Sequence, residues 1–173
     1  MICRVHDSFK VKCIKTFFFG LIYSIPCLLV LVPVSDSRPA TPIPDSFLPL
    51  IKDLRNAGFQ FRYSNPPIQG AYGATNARTK VVWVAPISVD LGIGRQTLIH
   101  EAVHAAQSCP TRRYEPIGWV LPKLPKAVDR EIAAILYRKY PHKQFQVERE
   151  AFFMQSHPNA FGLIKEALSQ RCR

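Results

Sequence analysis

The chain has 173 residues, a mean hydropathy of −0.01, and 23 Lys and Arg residues against 12 Asp and Glu residues. Five of the basic and two of the acidic residues lie within residues 1–38, so the remaining ~135 residues carry a net charge of about +8 and suffice for one domain, not two. The basic residues are scattered and accompany no nucleic-acid-binding motif. The composition therefore argues against DNA or RNA as a partner and favours a solvated basic surface near an anionic envelope.

Residues 17–34 are almost wholly apolar and uncharged, and they follow four basic residues, Arg4, Lys10, Lys12 and Lys15. This order is typical of a secretory signal peptide or an N-terminal membrane anchor. A run of 18 residues is long for a signal peptide and just long enough to span a membrane, so both alternatives stay open for residues 1–38. In either case the positive flank predicts that residues 39–173 are exported, either periplasmic or extracellular.

The next residues alternate between helical and strand-like patterns. Apolar residues at helical spacing predict a helix over residues 45–57, which Gly58 ends, and a strand over residues 59–63 follows. Residues 70–75 and 80–85 predict two more strands joined by a turn, and Pro86 closes the second of them. We expect a small antiparallel sheet.

Residues 95–108 contain no Gly or Pro, and their apolar positions predict a buried helix. This segment includes His100-Glu101-Ala102-Val103-His104, an HExxH pattern. Histidines four residues apart project from one helix face, so both imidazoles can bind one metal ion, and Zn²⁺ suits such ligands. Glu101 then lies beside the metal and can accept a proton from the water that attacks a carbonyl carbon. The alternative is a pair of histidines that hydrogen bonds alone satisfy.

A catalytic zinc site needs a third protein ligand. The extended pattern HExxHxxGxxH is excluded, because Gln107 and Pro110 stand where it requires Gly and His. His142 and His157 each adjoin a proline, which favours loop or helix-end positions for both. Neither histidine is therefore a strong candidate.

Glu148 is the better candidate for the third ligand. It begins a helical pattern over residues 148–155, in which positions 148, 151, 152 and 155 share one face. The small side chain of Ala151 would let this helix pack closely against the helix of the two histidines. The alternative is an ordinary surface helix with its charges directed outward.

The HExxH pattern at residues 100–104, followed by Glu148-Arg149-Glu150-Ala151 on a second helix, resembles the gluzincin branch of the zincin metallopeptidases. The resemblance implies that His100, His104 and Glu148 bind Zn²⁺ and that Glu101 is the general base. Many gluzincins carry an Asp four residues after the third ligand to orient a histidine. Phe152 stands there instead, so that role is unassigned. Glu150 is an alternative ligand, although it points about 200° around the helix from Glu148.

In the resembled fold, an edge strand before the active-site helix pairs with an extended substrate. Residues 81–85 are the candidate for that strand. Residues 109–125 contain four prolines and a glycine and predict a loop that borders the cleft, after which residues 126–140 and 159–170 predict helices. The loop offers four candidates for substrate contact or for stabilising an oxyanion, namely Arg112, Arg113, Tyr114 and Trp119.

Three of the five cysteines lie within residues 1–38, which leaves Cys109 and Cys172. In an oxidising compartment these two cysteines could form one disulfide. The sequence does not give the distance between their Cα atoms, so a disulfide and two free thiols both stay open.

The sequence therefore predicts an α+β domain of zincin type, in which a small antiparallel sheet packs on the HExxH helix and the C-terminal half is helical. The predicted function is that of a zinc metallopeptidase acting on peptide or protein substrates. Two alternatives are a zinc hydrolase acting on another amide and a non-catalytic envelope binding module on a zincin scaffold. The presence of Glu101 argues against the binding module, because a site without catalysis does not need the base. The oligomeric state is not predicted.

Overall fold

The computed structural model describes residues 41–120 and 123–173. The predicted signal peptide or membrane anchor at residues 1–38 lies outside this range. Within the range, no helix is both long and apolar enough to cross a membrane.

The described residues form a mixed α+β structure, and its elements follow the chain order predicted from the sequence. The strands are β1 (Gln60–Tyr63), β2 (Gly73–Asn76) and β3 (Val81–Val84). The helices are α1 (Leu48–Asn56), α2 (Pro86–Asp90), α3 (Gly94–Gln107), α4 (Lys126–Lys139), α5 (Phe145–Met154) and α6 (Ala160–Arg171), and short 3₁₀ turns at Asp45–Phe47 and His142–Gln144 precede α1 and α5. The short helix α2 was not predicted. Pro86 both follows β3 and begins α2, where its fixed φ suits the first turn of a helix.

The sheet is mixed and has the strand order β1-β3-β2. Strands β2 and β3 form the predicted antiparallel hairpin, but β1 pairs with β3 in parallel, so the prediction of a purely antiparallel sheet is wrong. The reason is the connection between β1 and β2, which leaves the width of one strand between them. Strand β3 fills that place and runs parallel to β1.

The central place of β3 also corrects the prediction that residues 81–85 form a substrate-pairing edge strand. Three of its four residues, Val81, Val82 and Val84, are buried, and the strand is paired on both sides. A strand with this many buried apolar residues is more stable at the centre of a sheet, where both neighbours cover it. Among the described residues, the unpaired edge next to α3 belongs to β2.

Helix α3 runs through the middle of the core, as the sequence predicts. It packs against β2, β3, α2, α5 and α6. Its apolar residues are fully buried, and three of them are alanines, at positions 102, 105 and 106. Small side chains permit close approach of the neighbouring helices, and buried Ala151 does the same from the side of α5.

Cys109 and Cys172 form a disulfide with a Cα–Cα distance of 5.0 Å. It joins the residue just beyond α3 to the end of α6, across 63 residues of sequence. The structure thus contains the disulfide that the sequence left open.

Candidate metal centre

Three side chains from α3 and α5 converge on one point. His100 and His104 lie one turn apart on α3, and their Nε2 atoms are 3.1 Å apart. Glu148, in the first turn of α5, places Oε2 3.4 Å from Nε2 of His100 and Oε1 3.5 Å from Nε2 of His104. All three residues are at most 9 % exposed. The structure therefore brings together the three residues that the sequence predicts as metal ligands, as a group able to hold a metal ion.

Gln107 fixes the orientation of His104. Its Nε2 donates to the carbonyl oxygen of Val147 at 2.8 Å and to Glu150 at 2.9 Å, so its Oε1 faces the imidazole at 2.7 Å from Nδ1. An amide oxygen accepts, so Nδ1 of His104 carries the proton and Nε2 keeps its lone pair. That lone pair points toward the convergence point, as metal binding requires.

Gln155 occupies the corresponding place beside His100, with its side-chain amide nitrogen 2.9 Å from Nδ1. Because this nitrogen donates to Nδ1, His100 carries its proton on Nε2. That Nε2–H donates to the Nε2 lone pair of His104. If the Gln155 amide is rotated by 180°, its oxygen accepts from a proton on Nδ1 of His100. The Nε2 atom of His100 then has a lone pair that points toward the convergence point. Gln155 therefore fills the histidine-orienting role that Phe152 cannot fill; the ring of Phe152 packs on His100 with centroids 5.0 Å apart.

The electrostatics of the cluster favour positive charge at its centre. Burial raises the pKa of the Glu148 carboxyl, but His100 and His104 outweigh burial and lower that pKa to about 2. Burial lowers the pKa of His104, but Glu148, Glu101 and Gln107 outweigh it and raise that pKa above its usual value. Glu148 Oε2 is buried and has no hydrogen-bond partner in the described part of the chain. A cation held between these three side chains would satisfy that oxygen, so the residues fit a metal ion.

Glu101 stands beside the cluster and is held by β2. The Thr75 hydroxyl lies 2.9 Å from Oε2 of Glu101 and donates to it or to the backbone oxygen of the same residue. Gly73 also faces this carboxylate, because a Cβ atom at that position would lie 2.9 Å from Oε1 of Glu101 and 2.7 Å from Cγ2 of Thr97. The absence of a side chain at Gly73 lets β2 approach α3 closely enough for Thr75 to reach Glu101.

Two tyrosines border the centre. The Tyr114 ring is 5.5 Å from that of His104, and its hydroxyl donates to the backbone oxygen of Thr75. Burial and the nearby carboxylates raise the pKa of Tyr114 to about 12, so this hydroxyl keeps its proton at neutral pH. Burial and the charge of Glu148 also raise the pKa of Tyr140. The sequence identified Tyr114 as a candidate but gave no sign of Tyr140.

Glu150 does not approach the metal cluster, so its prediction as an alternative ligand is wrong. Its carboxylate accepts hydrogen bonds from the backbone N–H groups of Ile117 and Gly118, both at 2.8 Å, and from Gln107. The helical offset from Glu148 explains this, because it turns Glu150 toward the loop that follows α3. Glu150 therefore holds that loop against α5 and fixes the amide of Gln107.

The other predicted candidates lie away from the three ligands. Arg112 and Arg113 are exposed on the loop, next to Tyr114. Trp119 borders a separate cavity together with Phe153, on the Glu150 side of α5. His142 packs against Tyr137 and Phe145, and His157 against Phe153. Gln107 and Gln155 were missed as orienting residues, although the helical spacing already put position 155 on the face of Glu148.

No protein-family model, no curated protein and no solved structure matches this chain. The resemblance to gluzincins thus stays a prediction from the quoted motifs.

Proposed function

We propose that this protein is a zinc-dependent metallopeptidase of the zincin type that hydrolyses peptide bonds with a water molecule activated at the His100, His104 and Glu148 centre. The observation that carries the proposal is the spacing of the three ligand groups. Zinc bonds of about 2.0–2.2 Å in a tetrahedral site set neighbouring ligand atoms roughly 3.3 Å apart. The two imidazole nitrogens are 3.1 Å apart, and each lies 3.4 or 3.5 Å from one oxygen of Glu148, Oε2 for His100 and Oε1 for His104, which is close to that value.

The donor set also supports zinc rather than a harder cation. Two imidazole nitrogens and one carboxylate are typical ligands of a catalytic zinc site, whereas calcium and magnesium prefer oxygen ligands throughout. A zinc ion bound there would lower the pKa of a water molecule and polarise a carbonyl group. With His100, His104 and Glu148 as its three protein ligands, a zinc ion would keep one position for that water or the substrate.

Glu101 is the general base of the proposed reaction. It is not one of the three ligands, yet it lies on the same helix between the two histidines and is only 7 % exposed. Its carboxylate accepts the proton of the attacking water and passes it to the leaving amine. The Thr75 hydroxyl lies 2.9 Å from Oε2 of Glu101, and donation to this oxygen would restrict the carboxylate to the side of the cleft formed by β2.

The edge of β2 that does not pair with β3, on which the Thr75 oxygen accepts a hydrogen bond from Tyr114, is the proposed binding site for an extended peptide. The backbone oxygen of Tyr72 accepts a hydrogen bond from Ala85 N–H, so Tyr72 points its backbone groups toward β3. Successive residues of an antiparallel strand alternate in this direction, so the backbone groups of Gly73 and Thr75 point away from β3. The Tyr114 hydroxyl on the Thr75 oxygen agrees with this direction. A substrate strand added at this edge would lie beside Glu101, and backbone pairing would provide affinity with little sequence demand.

The proposed location is outside the cytoplasm, with residues 1–38 as a signal peptide or an anchor. The Cys109–Cys172 disulfide supports an oxidising compartment, because disulfides are rare in the cytosol.

The test is a digest of a complex peptide mixture by the zinc-loaded full-length protein, read by mass spectrometry. New peptide termini are expected with the wild type and with the control Glu131→Gln on exposed α4. They are expected to disappear with a chelator and with Glu101→Gln. A zinc-loaded wild type that cleaves no peptide would refute the peptidase proposal and favour a different amide substrate. Cleavage by Glu101→Gln at the wild-type rate would refute the role of the base.

A further inference from the structure

The loop that follows α3 is fixed against the cleft. Its backbone is bound to the end of α3 by hydrogen bonds from Arg112 N to Ser108 O at 2.7 Å and from Glu115 N to Gln107 O at 3.1 Å. Tyr114, in the same loop, touches the His104 ring and donates to the Thr75 oxygen. The neighbours of Tyr114 in sequence are therefore held next to the edge of β2 that does not pair with β3.

Two of these neighbours are arginines, and a third arginine lies in the turn that follows β2. Arg112 and Arg113 directly precede Tyr114, at about 3.8 Å of Cα separation per residue. Arg78 lies in the turn at the end of β2, three residues after Thr75. All three side chains are exposed. We call this group the arginine rim.

Within the described part of the chain the arginine rim forms no ion pair, although Glu115 follows Tyr114 in the loop and Glu101 lies beside Thr75. Across residues 41–120 and 123–173, no carboxylate lies within ion-pair distance of any of its guanidinium groups. The nearest acidic residue in the loop is Glu115, whose carboxylate accepts a hydrogen bond from Thr111. Among the arginines of the described residues, Arg149 alone forms an ion pair, with Asp129 at 2.7 Å.

The positive charge of the arginine rim acts on a peptide that binds at the edge of β2. The screening length is about 8 Å at physiological ionic strength, so side chains one or two residues from Tyr114 influence a peptide bound beside Thr75. Charges at the rim of a binding site accelerate association with a partner of opposite charge and penalise one of like charge. A chain that carries an overall positive charge strengthens this preference at long range.

We propose that the arginine rim makes the cleft select acidic segments of its protein substrates, with Asp or Glu side chains beside the Thr75 end of β2. The inference rests on the proposed function, since it concerns which peptides occupy the edge of β2. It names a substrate class, namely acidic peptides, and a set of residues that determines it.

The test is a binding measurement, so that it does not depend on hydrolysis. The zinc-loaded full-length Glu101→Gln protein is titrated into two fluorescent dodecapeptides that differ only in Glu or Gln at alternate positions. Fluorescence anisotropy should give a Kd about tenfold lower for the Glu peptide at low salt, and the difference should shrink as salt is added.

The discriminating variant adds Arg112→Asn and Arg113→Gln, because Asn tolerates the φ of 61° at position 112. The preference for the Glu peptide should fall to less than threefold. The matched control, Lys52→Gln with Arg55→Gln on exposed positions of α1, removes the same charge elsewhere and should retain it. Equal binding of the two peptides, or an equal loss in the control, would overturn the proposal. Failure of the peptidase proposal is read separately, from the absence of hydrolysis by the wild type.

Discussion

Each histidine of the centre depends on a glutamine amide for its orientation. Gln107 is buried and also donates to Val147 and Glu150, whereas Gln155 is partly exposed and, among the described residues, its side chain forms a hydrogen bond with His100 alone. Replacing a residue that holds a metal-binding histidine typically lowers metal affinity by about 10- to 100-fold. Gln155 can therefore be replaced to test this role with little risk of unfolding the core.

The first prediction concerns Gln155→Leu, which keeps the size of the side chain but removes both polar atoms. The zinc Kd should rise by about 10- to 100-fold, because His100 loses the partner that selects its tautomer. Competition with a chromophoric chelator measures the change. Gln170→Leu, on the exposed side of α6, is the control and should bind zinc as the wild type does. An unchanged Kd for Gln155→Leu would show that the amide does not orient His100.

The second prediction concerns Thr75, whose hydroxyl restrains Glu101. Thr75→Val has nearly the same shape and should lower kcat for peptide hydrolysis by about tenfold, because the carboxylate loses its orienting donor. The zinc Kd should stay within about twofold, since Thr75 contacts none of the three ligands. Thr75→Ser retains the hydroxyl and should retain the activity. Equal loss of kcat in both variants would mean that the methyl group matters and the hydroxyl does not.

At the scale of elements, the structure depends on α3 being held from several sides, and the disulfide is one of these restraints. It closes a loop of 63 residues between the end of α3 and the end of α6. Arg171 adds a hydrogen bond from Nε to the backbone oxygen of Ala106 at 3.1 Å. Together they fix α6 against the helix that carries both histidines.

The third prediction is that Cys172→Ser lowers the free energy of unfolding by about 2–5 kcal/mol, because the unfolded chain regains the entropy that the closed loop removes. Urea denaturation followed by circular dichroism measures it. Reduction of the wild type should produce a loss of similar size, and a reductant should have no further effect on Cys172→Ser. A variant as stable as the oxidised wild type would show that the disulfide does not stabilise the domain.

The sequence predicted every strand and all the longer helices, because their apolar residues recur at clear periods. It could not predict the order of the strands, since the pattern of β3 is the same at the centre and at the edge of a small sheet. The apolar content of residues 81–84 was the available signal for a central strand. Likewise, the spacing of His100, His104 and Glu148 predicted which residues converge, whereas the contacts of Tyr114 and Tyr140 depend on how loops return to the core.

At the scale of the whole molecule, the metal centre links stability to pH. In the metal-free protein the pKa of Glu148 is about 2 instead of 4.5, so its stabilising contribution is complete above about pH 4.5 and is lost as the pH falls toward 2. The pKa of His104 is raised above 6.5, so its contribution is complete below pH 6.5 and is lost as the pH rises through the raised value. Both contributions are present together between about pH 4.5 and 6.5.

The fourth prediction follows from competition between zinc and the proton on His104. Zinc needs the unprotonated imidazole, so added zinc should raise Tm only slightly near about pH 5.5 and much more near about pH 8. Differential scanning fluorimetry at both pH values measures the difference. Glu148→Gln, which lacks the carboxylate, should show a smaller zinc-induced rise at either pH. The same rise at both pH values in the wild type would contradict the coupling.

If His100, His104 and Glu148 form one zinc site, calorimetric titration of the metal-free full-length protein with zinc will detect it. We expect one zinc ion per chain for the wild type and for Glu101→Gln, with affinity reduced by at least about 100-fold in His100→Ala and Glu148→Ala. A wild type that binds no zinc, or a His100→Ala variant that binds it with unchanged affinity and stoichiometry, would contradict the account.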